Sequence, residues 1–394
     1  MQAAIEAEVE VFLGRGRYER REDEHRAGHR NGWQPPATVK TTMGAVELSR
    51  PKLRDTDEAF CSRLFGAGVT RTNALESLVI SGWVRGLSDR DITAALAEVL
   101  GPQAALSRST VSRICQRLRE EFDAWNKRDL SGVRLDYLFL DGSHFKMHPG
   151  APAEPVLAAW GIDVCGKPVF VGLAPAASES TDAWEDFLAD LKERGLRPPL
   201  LEISDGAPGL VAAIELHFPS SLRQRCLVHR ARNVLAKVSA HDQAEVKADF
   251  WAVFDVGEAE PGEEAIALAE RQAAEFAAKW KDRYPSATSC LTDDLASLTV
   301  HLRFPAEHWK RIRHSNFIER TFGESRRRVK VIGRLPGESS CLSLVWAVLD
   351  RASRGWRGFT MTPHGLRLLQ DLRHQLVHPP DAKEVNEEAV TAAA

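Results

Sequence analysis

Two short apolar runs in this chain each close on an aspartate followed by a glycine, and that pairing restricts the fold more than any other feature. Tyr137-Leu138-Phe139-Leu140 leads into Asp141-Gly142, and Leu200-Leu201-Glu202-Ile203-Ser204 leads into Asp205-Gly206. Apolar runs of this length, bounded by turn residues, read as buried strands. A third acid, Glu319, lies far downstream in Ser315-Asn316-Phe317-Ile318-Glu319-Arg320, ahead of Arg326-Arg327-Arg328. Carboxylates at the ends of two neighbouring strands, plus one from a helix packed against them, form a donor set for two Mg²⁺ ions. Such a metal pair supports in-line displacement at phosphodiester bonds. Basic residues beside the third carboxylate would grip phosphate. The residues themselves therefore point to a DNA-strand transferase.

The chain has 394 residues, 43% of them hydrophobic and 27% charged. That is enough for two or three domains with their own cores. Its first residues show neither a basic nor an apolar leader region, and no apolar run reaches the length needed to cross a bilayer. The six cysteines are scattered without a Cys-x-x-Cys pair, which argues against a disulfide framework or a structural zinc site. A cytoplasmic chain is expected, associated with the nucleoid when bound to DNA, with no membrane partner.

A formal net charge of −3 looks unfavourable for nucleic-acid binding, but distribution decides more than the sum. Residues 303–334 hold ten Lys/Arg against three Glu, whereas residues 241–290 hold five Lys/Arg against eleven Asp/Glu. A basic run alone is most simply a solvated helix face. Here it surrounds a candidate metal ligand, which favours phosphate contact.

The expected organisation has six parts. Residues 1–60 are polar and turn-rich, with a hairpin around Gly44, and residues 61–130 are helical. There, Ser88 and Asp91 suggest a capping box, and a helix opens after Ser107 with Arg108, Ser109, Thr110 and Arg113 in its first turns. That layout is a helix-turn-helix reader, or equally a plain bundle. Residues 131–237 read as the first part of a mixed α/β sheet domain. Strands are expected at 135–140, 155–162, 168–173, 199–204 and 222–228, and helices at 181–194 and 207–217. Three strands in hairpin order, then helix–strand–helix–strand, is the order of an RNase H-like sheet, in which the first and fourth strands are neighbours. Residues 238–305 form an acidic helical insertion. Residues 306–375 complete the catalytic core, with a helix at 339–353, and residues 376–394 make a disordered tail.

Each chemical reading has a plainer rival. Asp-Gly is a common turn dipeptide. Glu319 could close a capping box with Asn316, and Glu324 is a rival ligand on another helix face. Spacing alone leaves the two glutamates undecided. Cys226-Leu227-Val228-His229 is half of a zinc signature without its partner pair. Cys226 is expected to be buried on its strand and His229 to emerge near the acids. His144 and His148 share a strand face for ordinary reasons, and Trp184, Trp280 and Trp346 read as core.

From about Gly28 to Trp356 the chain resembles bacterial insertion-sequence transposases of the Mutator-like type, with an RNase H-like Asp-Asp-Glu catalytic domain. The blocks that carry the resemblance are Leu140-Asp141-Gly142, Ile203-Ser204-Asp205-Gly206, Gln224 to Asn233, and Asn316-Phe317-Ile318-Glu319-Arg320 followed by residues 326–333. The resemblance implies that Asp141, Asp205 and Glu319 are the catalytic metal ligands, choosing Glu319 over Glu324. It implies that Cys226 and His229 form a Cys-x-x-His element supporting the site. It also implies two Mg²⁺ ions, for which Mn²⁺ can substitute, and a homodimer or larger homo-oligomer. The DNA partners are terminal inverted repeats and target duplex. Arg320, Arg326, Arg327, Arg328 and Lys330 are expected on phosphates, with Arg108, Ser109, Thr110 and Arg113 reading the ends. One departure is His314-Ser315, where the family often has two threonines before the asparagine. Two other classes share parts of this pattern: a catalytically idle DNA-binding repressor derived from a transposase, and a structure-selective nuclease.

Overall fold

The structure, a computed structural model, describes residues 1–19, 28–56, 58–62, 65–66, 69–85, 87–101, 105–148, 151–316, 319, 322–323, 325–327, 337–353 and 355–377. The chain divides into two compact units, residues 1–120 and 121–394.

The first unit opens with helix α1 (Gln2–Leu13), where a turn-rich segment was expected. Its signal is the four-residue spacing of Ile5, Val9 and Leu13, all buried, and Gly14 ends it in the left-handed conformation. Strands β1 (His29–Trp33) and β4 (Pro51–Arg54) pair antiparallel, as do β2 (Ala37–Thr41) and β3 (Gly44–Leu48). Ile5, Val39, Leu48 and Phe65 form one small core. Helices α2 (Asn73–Val84), α3 (Asp89–Leu100) and α4 (Arg108–Asn126, which runs past the unit boundary) follow. The Ser88–Asp91 capping box is present at α3. Leu75, Val79, Ile92, Leu96, Val111 and Ile114 pack the three helices together.

The second unit is built on a five-stranded mixed sheet in the order β7-β6-β5-β8-β9. Its strands are β5 (Leu135–Phe145), β6 (Glu154–Asp163), β7 (Pro168–Pro175), β8 (Leu201–Ser204) and β9 (Leu222–Arg225). β5 to β7 are antiparallel neighbours, whereas β8 runs parallel to β5 and β9 parallel to β8. Helices α5 (Thr181–Glu193) and α6 (Pro208–His217) connect the parallel part. One sheet face, including Leu138 and Leu140, packs on Trp184, Phe187 and Leu188 of α5 and on Leu210 and Ile214 of α6. On the other face Tyr137 meets Phe304 and Phe359, and its hydroxyl pairs with His308 Nδ1 at 2.6 Å.

Two strand ends differ from expectation. β5 does not stop at Leu140, because Asp141 to Phe145 go on pairing with β6 (Asp141 opposite Ala158, Phe145 opposite Glu154). β9 stops at Arg225, and Leu227–Leu235 is helix α7 with Cys226 as its N-cap. Leu227 and Val228 look like strand residues, but buried Leu227, Ala231 and Val234 follow the helical period, which decides the matter.

Beyond α7 come α8 (Gln243–Ala252), α9 (Glu263–Trp280), α10 (Pro285–Thr292), the short α11 (Leu295–Leu298), two 3₁₀ turns and α12 (Trp309–Ile312). Val246, Phe250, Phe276, Trp280 and Leu291 give this helical region its own core, continuous with Leu227 and Val234. Described residues between 316 and 327 are helical (α13). Helices α14 (Glu338–Ser353) and α15 (Pro363–Val377) close the described chain. α15 was not anticipated and reaches into the stretch expected as tail; residues 378–394 lie outside the described residues. Trp184, Trp280 and Trp346 are all buried, as read from the sequence. Among the described residues, no helix is long and apolar enough to cross a membrane.

Candidate functional site

Strand register brings the first two acids together. Tyr137 is opposite Leu201 and Phe139 opposite Ile203 in the β5–β8 ladder. Two residues further on, the same face of each strand carries Asp141 and Asp205. Because side chains alternate across a strand, both acids lie on the Tyr137 side of the sheet, away from α5 and α6. On the next strand Ile203 is opposite Gln224, so Cys226 continues the row, and its N–H donates to the Ser204 carbonyl at 2.7 Å. Three parallel strands thus deliver Asp141, Asp205 and Cys226 to one edge.

α7 and α13 supply the remainder. His229 stands one turn into α7, and its Nε2 lies 3.3 Å from Glu319 Oε1. Arg232, a further three residues along, donates to the same oxygen at 3.0 Å. Glu319 is thereby tied to α7 instead of closing a capping box with Asn316. The buried Cys226 sulfur accepts from Ser315 N at 3.3 Å and Ser315 Oγ at 3.5 Å, while Leu227 N donates to the Arg313 carbonyl at 2.9 Å. These bonds fasten the segment before Glu319 to the start of α7. The sequence reading did not give Arg232 or Ser315 a role in the site, although Ser315 was noted there as part of a departure from the family pattern. The three-residue step from His229 to Arg232 was a local signal; the Ser315 contact is long-range and had none.

The charges respond to this crowding. Burial pushes the Asp141 carboxyl up to about 7; the His229 charge opposes that, and the Glu319 and Asp205 charges add to it. His229 rises to about 10, chiefly through the nearby Cys226 sulfur and then through Glu319, against its burial. Its Nδ1 nevertheless has no well-aligned hydrogen bond, so proximity to the sulfur matters more than bond geometry. For Cys226 burial alone would raise the thiol, but His229 and Ser315 outweigh it and leave the group below its ordinary value. Glu319 falls to about 2, first through the His229 hydrogen bond and, against burial, through Arg232.

Asp141, Asp205 and Glu319 form the candidate donor set for a hard divalent cation. Asp141 Oδ1 accepts from Gly142 N, and Asp205 Oδ1 accepts from Ala207 N, each at 2.9 Å. Glu319 uses Oε1 for both α7 partners. Each carboxylate therefore keeps one oxygen without a hydrogen-bond partner among the described residues, which is what monodentate ligation of Mg²⁺ requires. Among the described residues, no three His, Cys, Asp or Glu side chains already converge on one ligating point.

The other sequence candidates are placed as follows. Arg326 and Arg327 are exposed on α13. Arg320, Arg328, Lys330 and the rival Glu324 lie outside the described residues. In the first unit Arg108, Ser109 and Arg113 are exposed at the start of α4, with Thr110 partly so. Ser107 Oγ accepts from Thr110 N at 3.3 Å, and Arg113 reaches back to Ser109 O and Thr110 Oγ1, both at 3.3 Å. His148 pairs with Glu154 at 2.7 Å, and His144 faces Glu179 at 3.7 Å; neither histidine has a metal-ligand partner set. All six cysteines are free thiols.

Comparison with known proteins adds to this geometry. The sequence profile described as "Transposase, Mutator family" matches residues 1–358. The chain is 35% identical over 290 residues to the transposase for insertion sequence element IS6120 of Mycolicibacterium smegmatis, covering 73% of this chain and 87% of the relative. It is 32% identical over 358 residues to the transposase for ISRM5 of Rhizobium meliloti, covering 90% and 86%. It is also 32% identical over 356 residues to the transposase for IS406 of Burkholderia multivorans, covering 90% and 88%.

Proposed function

The chain belongs to the Mutator family of transposases, and from that premise we propose that it binds the terminal inverted repeats of its own insertion sequence and catalyses Mg²⁺-dependent strand cleavage and strand transfer. The observation that carries this reading is the register-matched pair Asp141 and Asp205, with Glu319 held beside them by α7. The mixed sheet order and the helical segment between β9 and Glu319 support an RNase H-like core with a helical insertion. Helices α3 and α4 support a helix-turn-helix reader whose base-facing residues are Arg108, Ser109, Thr110 and Arg113. The acting form is a homodimer or larger assembly, nucleoid-associated while on DNA.

Asp141, Asp205 and Glu319 would hold the metal through their unengaged oxygens. Two Mg²⁺ ions, when bound, supply charge that activates the attacking oxygen and stabilises the leaving one. The chain's own groups do the rest. His229 and Arg232 fix Glu319 by one oxygen and leave the other free to ligate. Cys226 and Ser315 fix the start of α7 and with it the position of His229. Arg326 and Arg327, with Arg320, Arg328 and Lys330 of the same basic segment, offset phosphate charge. In the first step water breaks the phosphodiester at the element end, leaving a 3′-hydroxyl and a 5′-phosphate. In the second, that 3′-hydroxyl gives up its proton and joins a target phosphorus, and the displaced target 3′-oxygen takes a proton.

The test is Mg²⁺-dependent cleavage of duplex DNA carrying the gene's own flanks, comparing wild type with Asp205→Asn. Cuts at the repeat boundary that end in 3′-hydroxyls, and that vanish in the variant while end binding persists, are the expected result. Binding without cleavage by either protein would replace this reading with a repressor.

A further inference from the structure

Arg232 carries hydrogen-bond donors that its contact with Glu319 does not use. It follows His229 by three residues on α7, so the two side chains share a face. Both reach Glu319 Oε1, His229 Nε2 at 3.3 Å and Arg232 Nη1 at 3.0 Å. Their settings differ: the His229 side chain is 24% exposed and the Arg232 side chain 59%. A guanidinium holds five N–H donors in a planar fork, and among the described residues this fork gives one nitrogen to Glu319. Its other donors are left at the surface beside the acidic edge. The Arg232 cation is supported first by the Glu319 hydrogen bond and then, against burial, by the Glu319, Cys226 and Asp141 charges. The guanidinium therefore stands within electrostatic range of two of the three acids.

The other described cations of the site are less well placed for a phosphate held at Glu319. His229 is more deeply covered, and its Nε2 is taken up by Glu319. Arg326 and Arg327 lie seven and eight residues beyond Glu319 in the helical segment α13. At the α-helical rise that is about 10–12 Å, which suits phosphates further along the strand. Arg232 touches the acid itself.

We propose that Arg232 is a catalytic residue that bridges Glu319 and the reacting phosphate, donating to a non-bridging oxygen with the part of its fork that Glu319 leaves free. The inference rests on the transposase reading and adds to it the side chain that meets charge on the phosphate itself. Attack forms one P–O bond while another breaks, and in between negative charge gathers on the non-bridging oxygens. Charge-assisted N–H···O⁻ bonds from a guanidinium strengthen as that charge gathers. They move no proton, so the proton balance of both steps is unchanged. Holding Glu319 with the same group also fixes the phosphate relative to the acid. A lysine would supply the charge without the fork and should serve less well.

The experiment uses the full chain and the gene's own end duplex, with a single uncharged methylphosphonate linkage placed at the cleaved position or at one of its neighbours. The parent is Asp205→Asn, so that the strand stays whole in Mg²⁺, and binding is followed by anisotropy. Neutralising the cleaved phosphate should cost the parent at least threefold more affinity than it costs the double variant Asp205→Asn, Arg232→Ala. At neighbouring phosphates the two chains should lose alike. With Asp205 intact, Arg232→Ala should slow cleavage about 10²–10³-fold, and Arg232→Lys should recover at least tenfold of that. Equal losses at the cleaved phosphate overturn the proposal and leave Arg232 acting on Glu319 alone. Full-rate cleavage by Arg232→Ala overturns it as well. If Arg232→Ala melts well below wild type, the same comparison is made with Arg232→Lys, whose cost at the cleaved phosphate should again fall below the parent's. Failure of the parent to bind the unmodified end duplex removes the transposase reading, and this inference with it.

Discussion

The two Asp-Gly dipeptides are identical in sequence and opposite in structure. Asp141-Gly142 lies inside a strand that continues to Phe145, paired throughout with β6. Asp205-Gly206 lies past the end of β8, where Asp205 caps a turn by accepting from Ala207 N and Gly206 adopts φ +84°. The carboxylates still end up side by side, because β8 leaves the sheet just where β5 goes on with β6 alone. The site sits in the notch created by one strand stopping beside another that does not. A shared dipeptide thus marks a shared place in the sheet, reached by two different backbone solutions.

The largest effect expected from breaking the pair is on chemistry. Asp141→Asn and Asp205→Asn should each reduce strand cleavage by about 10²–10³-fold or more, in proportion to the charge stabilisation lost at the reacting phosphate. End binding, measured by anisotropy, should stay within about threefold, since the substitution is isosteric and its side-chain oxygen still accepts the local backbone bond. Equal loss of binding and cleavage in both variants would mean that these acids hold up the fold and not the reaction.

The glycines should separate where the aspartates agree. At Gly206 a Cβ would meet the Arg225 Nε at 2.5 Å, at a positive φ that L-residues rarely adopt. Arg225 cannot easily retreat, being bonded to Asp294 at 2.6 Å. Gly206→Ala should therefore destabilise by about 1–3 kcal/mol in denaturant melts. At Gly142 the backbone is ordinary strand, and the added Cβ would meet only the Glu179 carboxylate end at 2.5 Å. Glu179 is partly exposed and can swing away, so Gly142→Ala should cost less than about 1 kcal/mol. Equal losses at the two glycines would contradict the two-backbone account.

How much of this was legible beforehand follows from range of contact. The β5 and β8 runs were readable because a buried strand writes itself as a local apolar run, and the Ser88–Asp91 cap because its bonds span three residues. Cys226 and His229 were singled out, yet Leu227 and Val228 were read as strand, since β-branched and leucine-rich stretches fit either period over so few residues. α1 went unread although Ile5, Val9 and Leu13 carry its spacing. Arg232 and Ser315 were not read as site residues, because what makes them matter is contact with Glu319 and Cys226 from distant parts of the chain. The third acid itself was left open between Glu319 and Glu324 by spacing, and only its contacts with His229 and Arg232 give Glu319 a partner on α7.

Glu202 provides the smallest expected effect on catalysis and therefore the sharpest control. It lies on β8 three residues before Asp205, is fully buried, and alternates onto the opposite face. Burial drives its carboxyl well above the usual range, against the Ser221 hydroxyl and the Arg223 charge. Neither oxygen has a well-aligned hydrogen bond, and Ser221 Oγ spends its own proton on the Pro199 carbonyl at 2.7 Å. A carboxyl whose folded pKa is raised contributes stability that is complete below its unfolded value of about 4.3 and is lost as pH rises toward the folded value. Glu202→Gln removes that titration, so its stability relative to wild type should increase as pH rises above the unfolded value of about 4.3, while cleavage stays within about threefold of wild type. Parallel stability curves would show that Glu202 is ionised in the fold, and a large loss of cleavage would show that the opposite face of β8 also matters to the reaction. If both expectations hold, burial of a carboxylate on this sheet is not enough to make a site; what distinguishes Asp141 and Asp205 is the face they share and the α7 cation beside them.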